Sequence, residues 1–162
     1  RKLRMTKQQM KEEMRQSDGA PELKQAIRAR QQEVMMSSAR KGMADANVVL
    51  TNPTHFAVAL RYRPGTDAAP VVVARGKGEV AQAIKAIAAE KGVVMLEYPQ
   101  LTRAIYFTTR TGKTVSEDLY VAVAAILAFV FRLESTLAQN VQKPSVDVPP
   151  TKRFDQDGRR TA

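Results

Sequence analysis

Asn52-Pro53-Thr54-His55 carries the reactive residue types of this 162-residue chain. An Asn ordinarily degrades when the backbone nitrogen of the next residue attacks its side chain. Proline has no N–H, so at Asn52-Pro53 that route is closed. The reverse attack stays open. The Asn52 carboxamide nitrogen adds to Asn52's own carbonyl carbon, a five-membered succinimide forms, and the bond to Pro53 breaks. The reaction needs the amide held about 3–3.5 Å from that carbon. A donor to the developing oxyanion helps, either a backbone N–H or Thr54 Oγ. His55 supplies a weak base for the Asn amide, or simply orders the loop. The plain alternative is a hairpin turn, because Asn-Pro is a common turn pair and Pro suits position i+1. N-glycosylation of Asn52 is excluded, since Pro53 fills the forbidden position.

Two strands must position this loop. Val48–Leu50 leads in as a short apolar run. Phe56–Tyr62 leads out with large side chains at 56, 58, 60 and 62, the period of a strand. Pro64-Gly65-Thr66-Asp67 is a turn, and Val71–Ala74 a third strand. Over Glu79–Lys91, Val80, Ala83, Ile84, Ile87 and Ala88 share a helical face, and Gly92 stops the helix. Val93–Glu97 is a fourth strand, and Leu101–Phe107 a short helix after Pro99. Ser116 is expected to cap a last helix from Glu117 to about Ala138. The implied fold is α/β, a four-stranded mixed sheet packed with helices. A long helical arm precedes it, rich in helix formers and thin in apolar residues, with a break at Asp18-Gly19-Ala20 and Pro21 opening a second helix. The expected organisation is a helical arm over 1–43, a compact domain over 44–138 and a disordered, Pro-rich tail over 139–162. The Asn52 loop is expected to face solvent. If its flanking strands share a sheet, a cut there leaves both pieces associated.

The net charge of +10 is uneven: residues 1–41 hold eleven Lys/Arg against five Asp/Glu. Such a segment suits nucleic acid, the cytoplasmic side of a membrane, or a solvated helix face. With no Cys and one His, disulfides, thiolate chemistry and His-rich metal sites are excluded, and no metal or cofactor is expected. The longest apolar run, Leu119–Phe131, falls short of the ~20 residues that span a bilayer. No signal peptide is visible, and the chain, lacking an initial Met, is expected to be part of a longer protein. Arg75-Gly76-Lys77-Gly78 lies between a strand and a helix. It lacks the spacing of a phosphate-binding loop and reads as a plain turn.

The stretch Ala44-Asp45-Ala46-Asn47-Val48-Val49-Leu50-Thr51-Asn52-Pro53-Thr54-His55-Phe56 closely resembles the FlhB/YscU/SpaS family of type III export-apparatus switch proteins. Further likeness follows at Ala69-Pro70, Val72-Val73-Ala74-Arg75-Gly76, Leu101 with Arg103-Ala104-Ile105-Tyr106, and Leu119-Tyr120 with Ala122-Val123-Ala124. It covers about residues 5–133, and Ala57-Val58-Ala59-Leu60-Arg61-Tyr62 favours the flagellar branch. Gln100, Ala125 and Val115-Ser116 depart from the usual pattern, all away from the Asn52 loop.

This resemblance implies a domain on the cytoplasmic side of a bacterial inner-membrane protein, with spanning helices before Arg1. It implies one self-cleavage between Asn52 and Pro53, with Thr54 and His55 as helpers, rather than a turnover enzyme. Cleavage would let the apparatus change from rod/hook-type to filament-type substrates. The implied partners are those export substrates, a hook-length control protein and other gate components such as FlhA. Ala69, Pro70, Ala124 and Leu127 would form the docking pocket for early substrates; ordinary core packing is the other reading. The rival functions are the same switch in a virulence injectisome, and a basic binder of nucleic acid or membrane surfaces. Scarce aromatics for base stacking weigh against nucleic acid.

Overall fold

In the computed structural model, residues 21–53, 55–136 and 142–161 are described. Thr54, the expected helix over 5–20 with its break at 18–20, and the helix end beyond Thr136 lie outside the described residues. The chain divides into two compact units, Arg1–Met35 and Met36–Ala162.

Helix α1 spans Pro21–Met43, and Pro21 takes the first helical position expected of it. As far as Met35 it is solvated, with Leu23, Ile27, Val34 and Met35 each at least half exposed. Its last two turns differ. Ala39 and Met43 are buried, so the compact unit starts at Met36 rather than at the expected boundary after residue 43. The reason is a small residue. A Cβ on Gly42 would stand 1.7 Å from the Val73 carbonyl oxygen, so helix and strand meet backbone to backbone.

The second unit is a sheet covered on both faces. Strands β1 (Val48–Asn52), β2 (Phe56–Arg61), β3 (Val71–Lys77) and β4 (Val94–Glu97) lie in the order β3-β2-β1-β4. β1–β2 and β2–β3 are antiparallel, whereas β1–β4 is parallel. Helix α2 (Glu79–Lys91) makes the crossover from β3 to β4, and Gly92 ends it in the left-handed conformation at φ 70°. Helices α3 (Pro99–Thr108) and α4 (Tyr120–Thr136) complete the set. Every residue of β1 is buried, as expected of a strand with both faces covered. Val48, Leu50, Val58 and Leu60 face the core that holds α3 and α4. Val49, Ala57 and Ala59 face the core that holds α2 and the end of α1. The expected α2 face is observed with one substitution: Ala81 is fully buried, while Ala83 and Ile87 are half-buried. Among the described residues no helix is long and apolar enough to cross a membrane.

Two local expectations are corrected. Ser116 does not cap α4, because its hydroxyl bonds Asp118 at 2.6 Å and a 3-10 turn over Glu117–Leu119 precedes the α-helix. Residues 142–161, expected to be disordered from composition, lie against the domain. Val148 is fully buried with the α3 and α4 side chains. Arg103 Nε donates to the Phe154 carbonyl at 2.6 Å, and the Tyr98 hydroxyl donates to the Pro144 carbonyl. A few apolar anchors and backbone-directed bonds hold a segment whose average composition is polar.

In an isolated helix, Gly→Ala stabilises by about 1 kcal/mol. At Gly42 the sign is expected to reverse. Gly42→Ala should lose about 1–3 kcal/mol, a fall of roughly 3–10 °C in Tm by calorimetry; an unchanged or raised Tm would refute the close approach to Val73.

Candidate functional site

The Asn52-Pro53 loop is a four-residue turn closing the β1–β2 hairpin. Asn52 pairs with Phe56 across the hairpin, and the His55 N–H donates to the Asn52 carbonyl at 3.1 Å. That bond is the i→i+3 closure of a β-turn, with Pro53 at the i+1 position that suits it. It also places a backbone donor on the oxygen of the carbonyl that succinimide formation would attack. The sequence left open which donor could steady an oxyanion; the geometry offers the His55 N–H. Thr54 lies outside the described residues, so its expected part is not located.

Neighbouring backbone fixes both shoulders of the turn. The Tyr98 N–H donates to the Thr51 carbonyl at 3.0 Å, and the Gly78 N–H donates to the His55 carbonyl at 3.1 Å. At the far end of the hairpin, the Asn47 side chain accepts from the Tyr62 N–H at 2.7 Å. By strand alternation Asn52 points to the α3 side, as Leu50 and Val48 do. There Phe56 packs against the rings of Tyr106 and Phe107, with centroids at 4.8 and 5.4 Å. Asn52 is only 8% exposed, so the expectation of a solvent-facing loop fails at this residue. Pro53 and His55 are exposed, and Asn52 is not. The carboxamide therefore sits in a largely dry setting.

A second feature gathers the other expected site residues. Ala69, Pro70, Ala124 and Leu127 line one groove of about 340 Å³. Ala69, Pro70 and Leu127 are buried, and Ala124 is exposed at its mouth. Sequence reading missed the aromatic walls, Tyr62, Tyr120 and Phe131. The signal was present in α4: Tyr120, Ala124, Leu127 and Phe131 recur at helical spacing, one stripe along the helix. Among the described residues no group of three or more His, Asp or Glu side chains converges.

The sequence model of the FlhB HrpN YscU SpaS family matches residues 1–130. The chain belongs to this family. The flagellar biosynthetic protein FlhB of Aquifex aeolicus is 45% identical over 130 residues, which cover 80% of this chain and 37% of the relative. FlhB of Escherichia coli is 42% identical over 154 residues, covering 93% and 39%. The chain thus spans less than half the length of these curated relatives. A crystal structure of the cytoplasmic domain of FlhB from Shewanella putrefaciens superposes with a TM-score of 0.58 at 38% identity, covering 68% of this chain and 87% of that one. A mutated EscU C-terminal domain, an Asn-to-Ala variant, gives a TM-score of 0.56 at 27% identity, covering 57% and 93%. The mixed four-stranded sheet with its helices, expected from the sequence, is the architecture this family shares.

An ion pair closes the turn that precedes the groove residues Ala69 and Pro70. Arg61 donates to both carboxylate oxygens of Asp67 at 3.0 and 2.9 Å, and the Arg63 N–H adds a third bond at 2.8 Å. The Arg61 hydrogen bonds, ahead of the Arg63 N–H, hold the Asp67 carboxyl below its ordinary range. A depressed folded value means the contribution is fully present above the unfolded carboxylate's pKa, about 3.9. It is lost as pH falls through the lower folded value. Wild type should therefore have a higher urea midpoint than Asp67→Asn at pH 7, and the gap should close as pH falls below about 4. An equal gap at pH 7 and pH 2 would contradict this role for the pair.

Proposed function

We propose that this domain is a self-cleaving specificity switch of the flagellar type III protein-export apparatus. The observation that carries the reading is the Asn52-Pro53 turn, in which the His55 N–H already bonds the Asn52 carbonyl oxygen. The Asn52 carboxamide nitrogen attacks the Asn52 carbonyl carbon. The new N–C bond closes a succinimide, and the C–N bond to Pro53 breaks. The proton lost by the amide passes to the Pro53 nitrogen, which leaves as a secondary amine. The His55 N–H stays on the oxygen as negative charge gathers there. Asn52 is consumed, so each molecule reacts once. His55, exposed beside the turn, orders it through its backbone.

The pieces 1–52 and 53–162 stay together because β1 keeps β2 on one side and β4 on the other. FlhB relatives at 45% and 42% identity support the flagellar branch over an injectisome. The same relatives are more than twice as long, which supports placing this domain on the cytoplasmic side of an inner-membrane protein, with residues before Met36 as its linker. The groove at Ala69, Pro70, Ala124 and Leu127 takes an apolar side chain of an early, rod/hook-type substrate. A hook-length control protein and gate components such as FlhA act with the switch.

A chain unfolded in urea and then refolded should convert to fragments of 1–52 and 53–162 by intact mass, and these should co-elute on sizing. Asn52→Ala should stay whole. Because Asn52 is buried, that variant should also lose about 1–2 kcal/mol. Wild-type material that keeps its full mass at neutral pH would sink the cleavage reading.

For the groove, Ala124→Asp is the cleaner probe, since Leu127 is buried and its change to Asp tests the fold as well. Ala124→Asp should weaken capture of rod/hook-type substrates by roughly tenfold or more, by placing a charge on an apolar contact. Its cleavage rate should match wild type. Undiminished capture would remove the groove from the substrate path.

A further inference from the structure

The Arg75-Gly76-Lys77-Gly78 turn, which offers no phosphate-binding spacing, has a different use. We propose that Gly78 is a positioning residue for Asn52–Pro53 cleavage. Its N–H anchors the His55 carbonyl, and so aims the His55 N–H at the Asn52 carbonyl oxygen. The proposal rests on the cleavage reading above.

Three observations place it. First, β2 and β3 pair through Phe56↔Lys77. The bond from the Gly78 N–H to the His55 carbonyl, 3.1 Å, extends that ladder one residue beyond the strands, into the reactive turn. His55 is thereby held at both ends of its backbone, its carbonyl by Gly78 and its N–H by Asn52. Second, Gly78 has φ 59° and ψ −124°. That conformation is closed to ordinary L-residues and open to glycine. It lets one residue end β3 and begin α2, where the Gly78 carbonyl accepts from the Gln82 N–H at 3.1 Å. Third, a Cβ built on Gly78 meets nothing within 4 Å. Glycine is not there for space; it is there for its backbone angle. Gly76 differs, since a Cβ on it would stand 2.3 Å from Val80 Cγ1. That contact seats α2 against β3 and fixes the direction from which Gly78 approaches.

An L-alanine at 78 touches no neighbour but cannot hold φ near 59° without strain. Relief rotates the peptide before residue 78 and turns its N–H away from His55. D-Alanine has the same atoms and the mirror-image preference. The observed angles mirror the ordinary extended region of L-residues, so D-alanine keeps the N–H aimed.

The test compares cleavage rates of full-length chains refolded from urea and followed by intact mass, alongside calorimetric Tm. Gly78→Ala should cut about tenfold more slowly than wild type, less than outright loss of an oxyanion donor. A semisynthetic chain with D-alanine at 78 should cut within about twofold of wild type. Gly42→Ala, remote from the turn, should lower Tm without slowing cleavage when assayed well below its Tm. That separates loss of aim from loss of stability. If Gly78→Ala does not fold, a chain with glycolic acid at 78 removes the N–H alone and should cut several-fold more slowly. Wild-type rates in folded Gly78→Ala, equal slowing by D- and L-alanine, or a wild-type rate for the ester overturn the proposal and leave self-cleavage standing. A wild-type chain that never cuts overturns both.

Discussion

The register of β1 is the constraint on which the rest depends. It is an inner strand, hydrogen-bonded to β2 on one side and β4 on the other, with apolar cores against both faces. A slip of one residue would send Val48 and Leu50 to the wrong core and rotate Asn52 to the other face. Burial on two sides makes that slip costly. The position of the Asn52 carboxamide at the strand's last residue is therefore set by hydrophobic packing well away from it. The antiparallel pairs from Val48↔Leu60 to Asn52↔Phe56 leave three residues to turn the chain. The tight turn brings the His55 N–H onto the Asn52 carbonyl.

Small residues recur where the layers touch. Gly42 lets the end of α1 meet the β3 backbone, and Gly76 lets the start of α2 lie on β3. Ala57 and Ala59 keep the α2 face of β2 thin, while Val58 and Leu60 fill the α3 and α4 side. The sheet is thus asymmetric. Close backbone contacts on one face fix where the strands and turns lie. Larger side chains on the other face, including the ring cluster of Phe56, Tyr106 and Phe107, supply most of the apolar burial.

Much of this was legible from the residues. The strand period of Phe56–Tyr62, the α2 stripe with its Gly stop, and Pro at the second turn position are local signals. They name their elements without knowledge of the partners. What escaped depends on distant partners. Asn52 is polar and sits in a turn, so local rules expose it; as the last residue of a strand buried on both faces it is covered instead. Ser116 has the right type for a cap, but Asp118 two residues on competes for its hydroxyl. Residues 142–161 read as a tail because composition averages over residues. A few anchors, Val148 and Phe154 among them, decide the outcome. The groove was half legible. Its small residues were found by likeness, while its aromatic walls come from β2 and α4, which only the fold brings together. Gly78 could be seen as a turn residue, but its hold on His55 is a tertiary bond with no sequence signature.

The same constraint limits what a cut at Asn52-Pro53 could change. The Asn52–Pro53 bond lies outside every strand pair, and the His55–Asn52 hydrogen bond spans it. A neutral backbone hydrogen bond contributes about 0.5–1.5 kcal/mol, little against the paired and doubly covered strands. The new end at Pro53 is only two residues from the His55 carbonyl, which Gly78 still anchors. On the proposed reading, cutting would free a very short length of chain and create a positively charged secondary amine beside a buried strand end. It would not open the domain. A partner sensing the cut would then have to contact the hairpin itself, through its new charge and local shape. The groove at Ala69 and Leu127 would keep its form after such a cut, because the Arg61–Asp67 turn and α4 share no residue with the Asn52-Pro53 loop.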